Sequence, residues 1–141
     1  MPFEPDIVVT ELGHHRVNLV VDVKTTMQDL SETERGLKEY MYLMKCPIGL
    51  LVTPDHMWLY QDRYTSLSPE SIELVGRFNL TSVWDYPPPK QEVGFESFVQ
   101  HWLEELPARP VDQLPKDLRN AVRDYILPEV YQGDVRAAHL R

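Results

Sequence analysis

Asp6, Asp22 and Lys24 are the residues of this 141-residue chain whose types and spacing suit chemistry. Each sits at the margin of an apolar, β-branched run: "IVVTEL" follows Asp6, and "VNLVV" leads into Asp22-Val23-Lys24. Residues two apart on a strand share a face, so Asp22 and Lys24 point one way while Val21 and Val23 point into a core. If the two runs form an antiparallel hairpin, the start of the first lies beside the end of the second, and the three charges meet at one edge. Two carboxylates in that position repel each other unless a cation sits between them. Oxygen ligands of this kind suit Mg²⁺ or Mn²⁺. An ammonium beside them can orient a water and stabilise charge developing on a phosphoryl oxygen. Together they are the apparatus of metal-assisted phosphodiester hydrolysis. Taken singly, each has a plainer reading: Asp6 as a turn cap, and Asp22–Lys24 as an edge-strand ion pair worth little.

The elements that must position these groups are readable from periodicity. Residues 7–12 and 17–24 read as strands, with "LGHHR" as the turn and Gly13 free to take positive φ. His14 and His15 fall at the tip, where a solvated turn is preferred over a paired-His metal site. Ser31 and Glu34 have the spacing of a capping box, and Leu37, Tyr40, Met41 and Met44 recur at helical spacing, which predicts a helix over 32–45. Gly36 inside it costs up to ~1 kcal/mol relative to alanine and asks for a packing reason. "IGLLVT" fits a strand buried on both faces, Pro54-Asp55 a turn, and "HMWLYQD" the next strand. Strand, helix and strand at this spacing predict a crossover, hence a mixed sheet with a helix on one face.

"SIELVGRF" is open between a short helix and a strand. The prolines at 87–89 stop either element. Residues 87–93 are therefore read as a Pro-rich loop between a sheet core at 1–86 and C-terminal helices at 94–141. Phe95, Phe98, Val99, Trp102, Leu103 and Leu106 mark the clearest helical stripe. Leu118 and Val122, with Tyr125 or Ile126, mark a last helix over about 115–127.

Composition narrows the classes. Cys46 is the one cysteine, which excludes an internal disulfide and fits a reducing cytoplasm. It reads as a small buried residue rather than a nucleophile. No run of ~18 apolar residues offers a membrane span, and no secretory signal is read at the start. The expected localisation is cytoplasmic. Against 14 Lys and Arg stand 22 Asp and Glu, a formal net charge of −8. That argues against a broad electrostatic footprint for nucleic acid, though a bound metal can supply local positive charge.

Pro5-Asp6, then a hairpin, then Asp22-Val23-Lys24 resembles the PD-(D/E)xK nuclease superfamily. The segment "LKEYMYLMKCPIGLLVTPDHMWLY" is similar to the N-terminal nuclease domain of type I restriction enzyme motor subunits. The likeness covers about residues 4–62. It implies a restriction-endonuclease-like α/β (α+β) fold, with a mixed central sheet flanked by helices. It implies metal ligation by Asp6, Asp22 and the Val23 carbonyl, and a Lys24 that acts on the attacking water. The cofactor would be Mg²⁺ or Mn²⁺ and the partner nucleic acid, DNA before RNA, in a homodimer or a larger parent system.

Two departures qualify the match. The usual N-terminal helix, which often supplies a Glu ligand, and the first strand have no counterpart ahead of Pro5. The expectation is that a C-terminal helix packs in that place and brings Glu96, Glu104 or Glu105 toward the metal edge. Second, the position that often carries Gln falls at Gly36, with Glu34 and Lys38 as the neighbouring substitutes. The alternative function is an inactive nuclease-like interaction module, with Trp58, Tyr60, Trp84 and Tyr86 as contact candidates. A third reading is an unrelated α/β binding domain, in which Asp6 and Lys24 lie far apart.

Overall fold

The structure, a computed structural model, describes residues 3–13 and 15–139. The β-branched runs pair as expected: β1 (Ile7–Glu11) lies antiparallel to β2 (Val17–Val23). Gly13 takes φ 75° in the turn, a left-handed conformation that glycine adopts without steric cost. His14 lies outside the described residues, and His15 is exposed.

From β2 the chain crosses through α1 (Leu30–Met44) to β3 (Ile48–Val52), which runs parallel to β2. Every residue of β3 is buried, as expected of a strand covered on both faces. β4 (His56–Asp62) and β5 (Ile72–Asn79) continue antiparallel, so "SIELVGRF" resolves as an edge strand. After the proline loop come α2 (Glu92–Glu105), α3 (Lys116–Ala121), α4 (Leu127–Tyr131) and β6 (Gly133–Ala137). The six-stranded sheet has the order β5-β4-β3-β2-β1-β6.

One core lies on each face. Leu37 and Met41 of α1 pack on Val8, Val20, Leu51 and Tyr60. On the other face Phe95, Val99, Trp102 and Leu103 of α2 pack with α3 and α4 on Val9, Leu19, Val21, Leu50 and Leu59. The C-terminal helices thus share a core with the sheet. No helix of the described residues is long and apolar enough to cross a membrane.

Three local expectations are corrected. The N-cap of α1 is Asp29, whose carboxylate accepts the Glu32 N–H at 3.1 Å, so Ser31 and Glu34 lie inside the helix and form no capping box. The segment read as one helix over 115–127 is α3, a five-residue π turn at Val122–Ile126, and α4. Pro128 has no N–H to donate to a preceding turn, and the wide turn ahead of it closes with Leu127 N–H on the Val122 carbonyl. Finally, β6 was not anticipated. Its sequence, Gly-Asp-Val-Arg-Ala, has one β-branched residue, and its order comes from pairing along the whole of β1. Gly36 has the packing reason it lacked: a Cβ there would stand 3.1 Å from the Phe3 ring.

Candidate metal centre at the end of the β1–β2 hairpin

The register of the hairpin builds the site. Ile7 pairs with Val21, and the Asp6 N–H donates to the Val21 carbonyl at 3.0 Å. The Asp6 side chain therefore lies over the last residues of β2, where its Oδ2 accepts the Val23 N–H at 2.7 Å. Its carboxyl also lies close enough to that of Asp22 for each to shift the other's titration. Lys24 is held by its own N–H on the Val52 carbonyl of β3, and its Nζ stands 3.9 Å from Asp22 Oδ1. Asp6, Asp22 and Lys24 are brought together, at the end of the sheet where the parallel strands β2 and β3 terminate. That is the usual location of ligand crevices in sheets with parallel strands. What Val23 is seen to contribute is its N–H, donated to Asp6.

A third acid arrives from α2. Glu92 in its first turn accepts both the N–H and the hydroxyl of Thr25, at 3.2 and 2.7 Å. This clamps the helix start to the end of β2. Glu96 lies four residues on, hence on the same helix face, and its carboxyl meets Asp6. Glu104 and Glu105 lie elsewhere: Glu104 sits 3.8 Å from His101, and Glu105 binds Arg109 at 3.0 Å. A fourth group, His139, follows β6. The Ala138 N–H donates to the Asp6 carbonyl, and His139 Nε2 comes 3.3 Å from Asp6 Oδ1. Ligand atoms of Asp6, Glu96 and His139 all fall within 4.8 Å of one another, a group that could hold a metal ion.

Burial makes these charges costly. Asp6, Asp22 and Glu96 are each less than a tenth exposed. Desolvation raises the Asp6 carboxyl above the usual aspartate range, and contact with Asp22 raises it further, against the Val23 N–H and Glu96, which lower it. Desolvation also raises Asp22, against Asp6 and the Lys24 ammonium. Buried carboxyls in mutual contact must share protons or gather a cation. The donor set of Asp6, Glu96 and His139, two carboxylates and an imidazole, could hold a divalent ion.

Beside Asp22 and Lys24 opens a groove of about 250 Å³, walled by Glu32, Arg35 and Glu39 of α1. Glu34 and Lys38 do not line it. Glu34 accepts the Tyr60 hydroxyl at 2.6 Å, and Lys38 lies over the Tyr60 ring, 3.6 Å from Glu34. His139 escaped the sequence reading, because a single histidine in "RAAHLR" has no ligand spacing to reveal it. No family model, no curated protein and no solved structure matches this chain.

Proposed function

We propose that the protein hydrolyses phosphodiester bonds of nucleic acid, DNA before RNA, through a PD-(D/E)xK-type site that binds Mg²⁺ or Mn²⁺. The observation that carries this reading is that Asp6 lies beside both Asp22, which stands next to Lys24, and Glu96 at one end of the sheet. Glu96 supplies, from a helix late in the chain, the carboxylate that the nuclease pattern would take from a helix ahead of Pro5. Asp6 is oriented by the Val23 N–H and Asp22 by its neighbours, so both present fixed oxygens. A divalent ion held by them would polarise the scissile phosphate and acidify a water. Lys24, whose side chain is 41% exposed at the groove, reaches solvent and substrate while remaining tethered by Asp22. Its ammonium would orient the attacking water and offset charge as the phosphorus–oxygen ester bond breaks.

The test is incubation of plasmid and single-stranded DNA with Mn²⁺, wild type against Lys24→Ala. Cleavage by the wild type, lost in the variant, supports hydrolysis; a silent wild type that still binds metal removes it.

The inactive interaction module is favoured by one observation: Glu32 and Glu39 flank the groove with Arg35 as the one added cation, a poor surface for phosphates. Of its aromatic contact candidates, Trp58 and Tyr60 are buried, Trp84 is half-buried, and Tyr86 alone is broadly exposed.

A further inference from the structure

We infer that the centre takes a first-row transition ion in preference to Mg²⁺, with His139 as an imidazole ligand beside Asp6 and Glu96. The inference rests on the reading of Asp6 and Asp22 as a metal site, and it names the metal and the ligand that select it.

Three observations carry it. The first is the division of labour within Asp6. Oδ2 is taken by the Val23 N–H at 2.7 Å, which leaves Oδ1 turned toward His139. The second is the separation of Oδ1 and Nε2, 3.3 Å. A charge-assisted hydrogen bond between imidazolium and carboxylate closes to about 2.7–2.9 Å. Two donors each about 2.1 Å from one ion, subtending roughly 90–110°, lie about 3.0–3.4 Å apart. The observed spacing, within reach of a direct His139–Asp6 contact, is also that of neighbouring ligands on a shared ion. The third is placement. Glu96 is buried, on a helix clamped at Thr25, and its ligand oxygen lies within 4.8 Å of the other two donors. His139 is the exposed member, at 40% side-chain exposure, and so stands on the solvent side of the buried acids.

The chemistry of the donors then selects the ion. Mg²⁺ prefers oxygen ligands and retains its waters. Imidazole suits ions of the first transition row, and selection among divalent ions comes from ligand type and geometry more than from raw affinity. Asp22, beside Asp6, and Lys24 line the groove next to this centre.

The experiment is Mn²⁺ titration of the full chain, followed by the loss of the free-ion electron paramagnetic resonance signal, with Mg²⁺ as competitor. The wild type is expected to hold Mn²⁺ against a roughly tenfold excess of Mg²⁺. His139→Ala is expected to weaken Mn²⁺ binding by at least about tenfold, since losing even an outer partner of a ligand costs ~10–100-fold. Its Mg²⁺ affinity should stay unchanged. Glu96→Gln should weaken both ions. Pulsed resonance of Mn²⁺-loaded wild type should show coupling to imidazole nitrogen, a readout independent of any variant's folding. Equal affinity for the two ions, an unaffected His139→Ala, or absent nitrogen coupling each overturns the inference. Mn²⁺ bound through His139 without any DNA cleavage leaves the inference standing and removes the hydrolytic reading instead.

Discussion

Asp6 Oδ2 accepts the backbone N–H of Val23 at 2.7 Å, a bond between residues 17 positions apart. It fastens the acid that opens β1 to the residue standing between Asp22 and Lys24. The hairpin is thereby a positioning device as well as a pair of strands, because the side chain of one strand is fixed by the main chain of the other.

The first prediction concerns Asp22→Asn without metal. Burial and neighbouring acids hold the Asp6 and Asp22 carboxyls above their ordinary range. A carboxyl raised on folding binds more protons in the native state, so it lowers stability as pH climbs from the unfolded value through the folded one. The amide removes that penalty. Metal-free Asp22→Asn should melt higher than wild type at neutral pH, by on the order of 0.5–2 kcal/mol, with the gap narrowing below about pH 4. Calorimetry across pH checks this. Added Mn²⁺ should raise the melting point of wild type far more than that of the variant.

Lys24→Ala should separate binding from cleavage. Its ammonium contacts Asp22 from the solvent side and is not a metal ligand. Mn²⁺ affinity should stay within a few-fold of wild type while the DNA cleavage rate falls about 10²–10⁴-fold, the range for losing a positioned proton-handling group. A parallel loss of both would assign Lys24 to building the site.

Tyr60→Phe tests the placement of Glu34. The hydroxyl donates to Glu34 at 2.6 Å from a ring with no exposed surface. A hydrogen bond to a charged acceptor contributes about 1.5–3 kcal/mol, and partial exposure of Glu34 reduces the loss toward the lower end. Urea denaturation should show that loss, with metal binding unchanged, because Glu34 binds Tyr60 and does not line the groove at Asp22.

Gly133→Ala should loosen the last strand. A Cβ there would lie 2.7 Å from the Thr10 carbonyl oxygen and 2.9 Å from that of Glu129, main-chain atoms that cannot swing aside. The expected cost is about 1–3 kcal/mol. Amide exchange across 133–137 should quicken, and Mn²⁺ affinity should drop as it does in His139→Ala.

Cys46 should be inert in the folded protein. It is fully buried, its thiol donates to the Ile48 carbonyl at 3.3 Å, and desolvation pushes its pKa up to about 12. Thiolate is the reactive form. A maleimide or disulfide reagent at pH 8 should label it only at the rate of global unfolding, measured by mass spectrometry.

What could be read from the letters divides along physical lines. The hairpin, the crossover and the buried third strand followed from local apolar patterning, which is strong where a strand is covered on both faces. Asp6, Asp22 and Lys24 were found because strand parity and a short turn set their meeting place. Glu96 was one of three acids on a helix whose apolar stripe fixed its inner face but not its position along the sheet. The N-cap of α1 was misplaced by two residues because Asp29 and Ser31 are both good caps, and only the backbone distinguishes them. β6 and His139 were illegible: the strand's order comes from hydrogen bonds offered by β1, and no pattern within residues 133–139 records that offer.

The meeting of Asp6 with His139, 133 positions later, has a consequence for biosynthesis. A ribosome adds ~5–20 residues per second, so the first acid waits roughly 7–27 s before the imidazole that faces it has been made. A nascent or prematurely terminated polypeptide carries the hairpin and its charges without that nitrogen donor. Any ion capture that uses the His139 imidazole therefore cannot precede the synthesis of residue 139.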